Sequence, residues 1–291
     1  MIIVKLNGGL GNQLFQYALG RHLAEINQVP LKLDISWFDK GIRNYELNYF
    51  RIKAGLATQE DNVSVTKMTT RWRHRIDRNI TQKLLPYYLK NHVQEKNTGF
   101  DLNILKVGDN AYLTGYWQSE KYFKPIESVL RSELLFREPM DEKNLTLVQK
   151  IQHVNAVSLH VRRGDYVSNP EYRQMFGTCD LDYYKKAVAL ISTKVSDPHF
   201  FVFSDDPGWV KENIKVNAPT TFVIHNQGTE SYRDMQLMSL CKHNIIANST
   251  FSWWGAWLNA NPGRIVITPE KWFSDDNFCS QDLVPSGWVT M

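Results

Sequence analysis

Cysteine is scarce in this chain: there are three in 291 residues, Cys179, Cys241 and Cys279, widely separated and odd in number. They form no disulfide framework and no C-x-x-C zinc pattern, so a reducing cytosol is the expected setting. Long apolar runs are missing as well; none approaches the ~18 residues that a membrane span needs. The start, MIIVKLNGG, lacks a basic region, a long apolar core and a small-residue cleavage site, and is read as mature and untargeted. The eight histidines show no H-E-x-x-H spacing, and no G-x-S-x-G elbow occurs. Zinc-enzyme and serine-hydrolase readings therefore have no support. Charge of one sign is only in small excess. The 34 basic and 30 acidic residues leave a net charge of +4, too mild to imply a nucleic-acid protein and suited to a small anionic ligand or a loose association with anionic lipid.

What is present is ordinary for a soluble globule: 43% hydrophobic and 22% charged residues, which argues against a disordered chain. At roughly 150 residues per domain, two domains are expected. The basic charge is densest at Arg71-Trp72-Arg73-His74-Arg75, followed by Arg78 and Lys83. This is either a solvated helix face or a peripheral membrane patch. Nine Trp and 13 Tyr supply core, and exposed aromatic rings also suit the faces of sugars.

The second half reads as repeated strand and helix. Strand-like runs fall at Ala156–Arg162, Phe200–Ser204, Thr221–His225, Asn244–Ala247 and Ile265–Thr268. Helical spacing marks Leu181–Val195, Trp209–Ile214, Glu230–His243 and Phe251–Asn261. Such alternation predicts a parallel sheet covered on both faces, a Rossmann-like domain. The first half opens alike, with a strand at Ile2–Leu6, a turn at Gly8–Gly11, a helix over Asn12–Asn27 and a strand at Pro30–Ile35. Residues 40–108 show few periods. Tyr112–Trp117 reads as a strand and Glu120–Phe136 as a helix. The polar stretch Arg137–Asn144 marks a boundary, giving domains of 1–150 and 151–291, with the final residues candidates to pack back on the first. The predicted class is α/β with two Rossmann-like domains facing a cleft. Ligands in such sheets bind at the carboxyl ends of strands.

Three constellations stand at such ends. His160-Val161-Arg162-Arg163-Gly164-Asp165-Tyr166 closes a predicted strand. Two adjacent guanidiniums need anionic company, and planar forks match a diphosphate bidentately; pairing with Asp165 and Asp205 is the structural alternative. Asn248-Ser249-Thr250-Phe251-Ser252 leads from a strand into a helix start, where free amides, the dipole and the hydroxyls of Ser249, Thr250 and Ser252 favour an anion. Simple capping by Asn248 or Ser249 accounts for part of it. In Phe203-Ser204-Asp205-Asp206-Pro207, Asp205 is placed to orient an arginine or touch a ligand, and Asp206 reads as a helix cap. The loop Gly8-Gly9-Leu10-Gly11-Asn12-Gln13, with Asp34 beyond it, approaches a dinucleotide fingerprint, but Leu14 occupies the third glycine place. A nicotinamide-type oxidoreductase is thus a rival reading, while Asn12 and Gln13 can point amides into the cleft. Asp180-Leu181-Asp182 has the spacing of a metal-binding D-x-D, but its place at a helix start favours capping. The tryptophans Trp253, Trp254 and Trp257 read as helix–sheet packing, and leave a sugar-binding module as a third reading.

Gly8–Ala18, Tyr112–Phe123, His160–Tyr166, Phe203–Asp206 and Asn248–Leu258 together resemble glycosyltransferase family 11, the α-1,2-fucosyltransferases, in family order. The resemblance implies a GT-B-like fold, with an N-terminal acceptor-side domain and a C-terminal GDP-fucose-binding domain. It implies GDP-β-L-fucose as donor, a terminal β-galactose in a surface glycan such as O-antigen as acceptor, inversion at the anomeric carbon, no cofactor and no metal. Arg162 or Arg163, with Ser249 to Ser252, would hold the diphosphate. His160, Asp205 and Asn248 complete the expected donor set, and Asp234 matches the acid that meets guanine in relatives. Gly11, Asn12, Gln13 and Glu171 fall on the acceptor side. Asp165 is the first candidate for the general base and Glu171 the second. A fucosyltransferase of another linkage is the nearest alternative.

Overall fold

The computed structural model describes residues 1–66, 86–275, 278 and 280–291. The basic cluster from Arg71 to Lys83 and the thiol of Cys279 lie outside the described residues, and with them the expected membrane patch. Among the described residues no helix is long and apolar enough to cross a membrane.

The chain divides into two compact units. Unit 1 is Met1–Leu135 with Gln281–Leu283, and unit 2 is Phe136–Ser280 with Val284–Met291. Unit 1 holds the strands β1 (Ile2–Lys5), β2 (Leu31–Asp34), β3 (Gly55–Leu56), β4 (His92–Gln94) and β5 (Ala111–Thr114). They form one parallel sheet in the order β3-β2-β1-β5-β4. A strand flanked on both sides and both faces must be apolar throughout, and the Ile2, Ile3 and Val4 side chains are indeed wholly buried. Helix α1 (Leu10–Asn27) lays Leu14, Phe15, Ala18, Leu19 and Leu23 on the core. Gly20 lets it close on the sheet, since a Cβ there would stand 2.4 Å from a Val4 methyl. The helix ends where Gln28 turns left-handed, at φ 52°, its amide bonding back to the carbonyls of Ala24 and Glu25. Helix α2 (Gln59–Thr66) follows β3.

Two expectations for unit 1 change. Helix α1 begins at Leu10, so Gly11 belongs to its first turn rather than to a loop. The helix expected over Glu120–Phe136 is broken into 3₁₀ turns at Glu120–Tyr122 and Lys124–Ile126, and only α3 (Glu127–Glu133) is α-helical. Phe123, between the two turns, leaves the helical region at φ −138°, and Pro125 supplies no amide to an α-helical ladder.

Unit 2 opens with α4 (Glu142–His153), which occupies the stretch read as the junction between domains. Its strands are β6 (Asn155–Val161), β7 (Pro198–Ser204), β8 (Thr220–Val223), β9 (His243–Ile245), β10 (Val266–Thr268) and β11 (Val289–Thr290). All are parallel, in the order β11-β10-β9-β6-β7-β8. Numbered within the unit and read from β8, this is the doubly wound order 3-2-1-4-5-6. The helices are α5 (Gly164–Ser168), α6 (Pro170–Phe176), α7 (Leu181–Lys194), α8 (Pro207–Asn213), α9 (Tyr232–Leu240) and α10 (Thr250–Leu258). The α/β, Rossmann-like class expected from the alternation is what both sheets display.

Candidate functional site

In the 3-2-1-4-5-6 order the winding reverses between the first and fourth strands, here β6 and β9, and the crevice outside their carboxyl ends is where such sheets hold ligands. The segment after β6 carries Arg162 and Arg163, and that after β9 carries Asn248 and the start of α10. The two arginines are held differently. Arg162 lies between Asp165, at 2.5 Å, and Asp205, at 2.9 Å, and its guanidinium faces the Tyr166 ring. Arg163 is held through Nε alone, 3.1 Å from Asp206, with its guanidinium 4.0 Å over the Trp209 ring. No other hydrogen bond of the Arg163 guanidinium occurs among the described residues, so both Nη atoms keep their donors. Gly164 leaves room beside them: a Cβ would sit 2.4 Å from Asp205 Oδ2 and would displace that carboxylate. Asp205 also accepts the Arg163 amide at 2.8 Å, which fixes the strand end. Asp206 caps α8 by accepting from the Trp209 amide at 3.1 Å.

The start of α10 differs from expectation in detail. Ser249 stands at the cap position in extended conformation, yet its side chain makes no capping bond to the first turn. Thr250 begins the helix facing partly outward. Ser252 was expected to aim a hydroxyl at a ligand. It is wholly buried, with Oγ 3.2 Å from the Ser249 carbonyl and 3.4 Å from that of Ala247, the back-bonding common to serine inside helices. Asn248 was expected in the same role. Its amide instead donates to the carbonyls of Phe176, at 3.0 Å, and Trp272, at 3.2 Å, while Cys179 Sγ approaches its oxygen at 3.5 Å. It ties α6 and the segment after β10 beneath the site. His160 is 4% exposed. Burial first and the Arg162 charge second push its pKa down to about 3, so it is a neutral ring near Phe251 and no cation for a phosphate.

Asp234 is the outlying acid of the unit. It lies on α9, 8% exposed, and among the described residues its one carboxyl partner is Asn226 Nδ2 at 2.8 Å. Asn226 is locked in turn to Asn144 by two 3.0 Å bonds. With a single neutral donor to offset burial, the Asp234 carboxyl is pushed up to about 8. Glu171, on α6, is exposed and makes no side-chain hydrogen bond or ion pair among the described residues.

In unit 1 the winding reverses between β1 and β5, and the residues at those carboxyl ends are amides. Gln118 Nε2 donates to Asn12 Oδ1 at 3.0 Å. Gln16 donates to Asn7 Oδ1 at 3.0 Å and to the Gly115 carbonyl at 2.9 Å, joining the two loops. Gln13, expected to face a ligand, is wholly buried; it bonds the carbonyls of Gly8 and Asn44 and accepts from the Glu46 amide at 2.9 Å. Gly11 is likewise buried in α1. Gly8 is held at φ +74°, with the Asn12 amide 2.6 Å from where a Cβ would stand. Asp34, the acid of the oxidoreductase reading, is 4% exposed and spent on Tyr112 Oη at 2.5 Å and the Ser36 amide at 2.9 Å. Leu14 fills the third-glycine place as a fully buried core residue. Sequence reasoning missed Glu95, whose carboxylate accepts the Tyr116 amide at 2.6 Å and the Trp117 amide at 3.0 Å; its partners lie far along the chain.

Asp180 caps α7, accepting from the Tyr183 amide at 2.7 Å, and Asp182 sits 3.6 Å from Lys185, so the D-x-D acids are spent locally. Among the described residues no three His, Cys, Asp or Glu side chains gather in a group able to hold a metal ion.

The model of "Glycosyl transferase family 11" matches residues 1–291. The Escherichia coli O-antigen biosynthesis glycosyltransferase WbnK is 36% identical over 301 residues, which cover 98% of this chain and 99% of that protein. An alpha-1,2-colitosyltransferase of Escherichia coli is 33% identical over 295 residues, covering 99% and 98%. Among solved structures, Arabidopsis thaliana FUT1, as a mutant in complex with GDP, superposes with a TM-score of 0.52 at 13% identity, over 99% of this chain and 75% of that one. At that identity the likeness concerns the fold.

Proposed function

The chain belongs to glycosyl transferase family 11, and from that premise we propose that it is an inverting α-1,2-fucosyltransferase, moving L-fucose from GDP-β-L-fucose to O2 of a terminal β-galactose in a surface glycan such as O-antigen. The observation that carries the reading is the Arg163 guanidinium, fixed by Asp206 and Trp209 with its Nη donors open, at the switch point that also presents the start of α10. As fucose departs, negative charge builds on the β-phosphate. Donors already fixed at that oxygen stabilise the charge without reorganising, and they contribute most when water is excluded. Arg162, spent on two aspartates, positions Asp165 and Asp205 and is the poorer phosphate ligand. Asp234 would take the guanine N–H edge, and the Asn12 amide the galactose hydroxyls. The galactose O2 must lose its proton as it attacks, and a carboxylate can accept it. Glu171, unpaired, now stands ahead of Asp165, which would first have to leave Arg162.

One assay tests this: the protein, GDP-fucose and lactose in excess EDTA, with products read by mass and by linkage. An α-1,2-linked fucosyl-lactose is expected. If there is no product and GDP does not raise thermal stability, the reading is wrong; if GDP does raise it, the acceptor is another galactoside. A second reading follows from the 33% identical colitosyltransferase. Colitose lacks only the 3-hydroxyl of fucose, so GDP-colitose belongs in the same assay, and the higher kcat/KM names the donor.

A further inference from the structure

Unit 1 contains a cavity of about 280 Å3 that the amide cluster does not account for. Its walls include Tyr87, Glu95, Phe100, Asp101, Trp117 and Tyr122. Glu95 directly follows β4, and Gly115–Trp117 directly follow β5, so the cavity opens at the carboxyl ends of two neighbouring parallel strands, the ligand edge of such a sheet. The wall is built with care. Trp117 is held left-handed at φ +57°, unusual for a bulky residue, and the Glu95 carboxylate clamps the turn by accepting the Tyr116 and Trp117 amides. Gly115 permits that clamp, since a Cβ would stand 2.4 Å from Glu95 Cβ. Among the described residues two polar groups of these wall residues are buried without a partner: the indole N–H of Trp117, itself 1% exposed, and the Tyr87 hydroxyl. The next residue after Trp117, Gln118, donates to Asn12.

We propose that this cavity binds a sugar ring of the acceptor glycan, the ring next to the galactose that receives the new bond. Aromatic rings take the apolar C–H face of a pyranose, and the carboxylates of Glu95 and Asp101 take its hydroxyls. At ~30 Å3 for each water in the liquid, the volume suits about nine waters, or one pyranose with its hydroxyls. The proposal rests on the acceptor reading above, and the test separates the two. Saturation-transfer NMR on the whole protein with N-acetyllactosamine, lactose and methyl β-galactoside should show contact to the reducing-end ring of the disaccharides. That contact should weaken in Tyr87→Ala and Phe100→Ala, and the ratio of disaccharide to methyl β-galactoside kcat/KM should fall about tenfold. Contact to the galactose ring alone, or variants indistinguishable from wild type, overturns the proposal. Ring contact without any transfer from GDP-fucose or GDP-colitose supports the cavity and sinks the enzymatic reading instead.

Discussion

The two units present the same scaffold, a parallel sheet read at the carboxyl ends beside its winding reversal, yet they arm it with different chemistry. Unit 2 gathers ions there: Arg162 and Arg163 against Asp165, Asp205 and Asp206. Unit 1 gathers neutral amides: Asn7, Asn12, Gln16 and Gln118. The difference teaches which ligand each can hold. A guanidinium with open donors at a strand end suits a diphosphate, whose charge repays its desolvation. Amides offer donor and acceptor together, which matches sugar hydroxyls and offers a diphosphate nothing to neutralise it. The glycine-rich loop of unit 1 therefore works as a tight entry to α1 rather than as a phosphate cradle, with Leu14 in the core where a third glycine would have been needed.

The largest effect should come from removing the ion that defines unit 2. Arg163→Ala should lower kcat/KM by about 10²-fold or more with little change in thermal midpoint, because the side chain is partly exposed and the negative charge on the β-phosphate grows as fucose departs. Steady-state kinetics with GDP-fucose check this, and wild-type rates would erase the contrast between the units.

The Asp234 carboxyl gives the next effect. In the free protein it sits at about 8 and is mostly uncharged at neutral pH. Guanine N–H donors favour the charged form, so GDP binding should release a proton below pH 8. Affinity should then rise with pH toward 8, by up to about tenfold per unit, and level off above it. Isothermal titration in two buffers of different ionisation heat reads the proton, and Asp234→Asn should flatten the profile. The same group makes the free protein less stable as pH rises from its unfolded value, near 3.8, through 8, because the folded state holds the proton longer.

A paired substitution sharpens the comparison itself. Gly164→Ala would push Asp205 off Arg162 and the Arg163 amide, and should weaken GDP binding about fivefold, the net loss of roughly one ordinary hydrogen bond. Gly8→Ala would strain a left-handed turn and displace the Asn12 amide, and should raise the galactoside KM by a similar factor of about five. Each should act on its own ligand; crossed effects would contradict the division of labour. The smallest effect is expected of Trp209→Leu, which removes the ring under Arg163 and should cost GDP affinity about threefold, typical of an exposed cation–π contact.

Much of this is legible in the sequence. Apolar runs of β-branched and aromatic residues fix β6 and β7, and a glycine or acid directly after them fixes where the chain turns. Hence the Arg162–Asp165, Asp205–Asp206 and Asn248–Ser252 segments could be placed at strand ends from local pattern alone. Side-chain direction and partners distant in sequence could not. Ser252 sits in a hydroxyl-rich motif, but helix geometry turns its Oγ inward to Ser249. Gln13 looks like a free amide until Gly8, Asn44 and Glu46 converge on it. Glu95 stands in an aperiodic region, and only β4–β5 pairing brings it to the Tyr116 and Trp117 amides. The 120–136 stretch has helical composition, but Phe123 and Pro125 break it.

The central claim is that the diphosphate belongs to the ionic end of unit 2. A crystal structure with GDP tests it most directly. The account predicts the β-phosphate on the Arg163 Nη atoms and the first-turn amides of α10, with the guanine edge on Asp234. A diphosphate seated on the Gly8–Asn12 turn of unit 1, with Arg163 untouched, would contradict it.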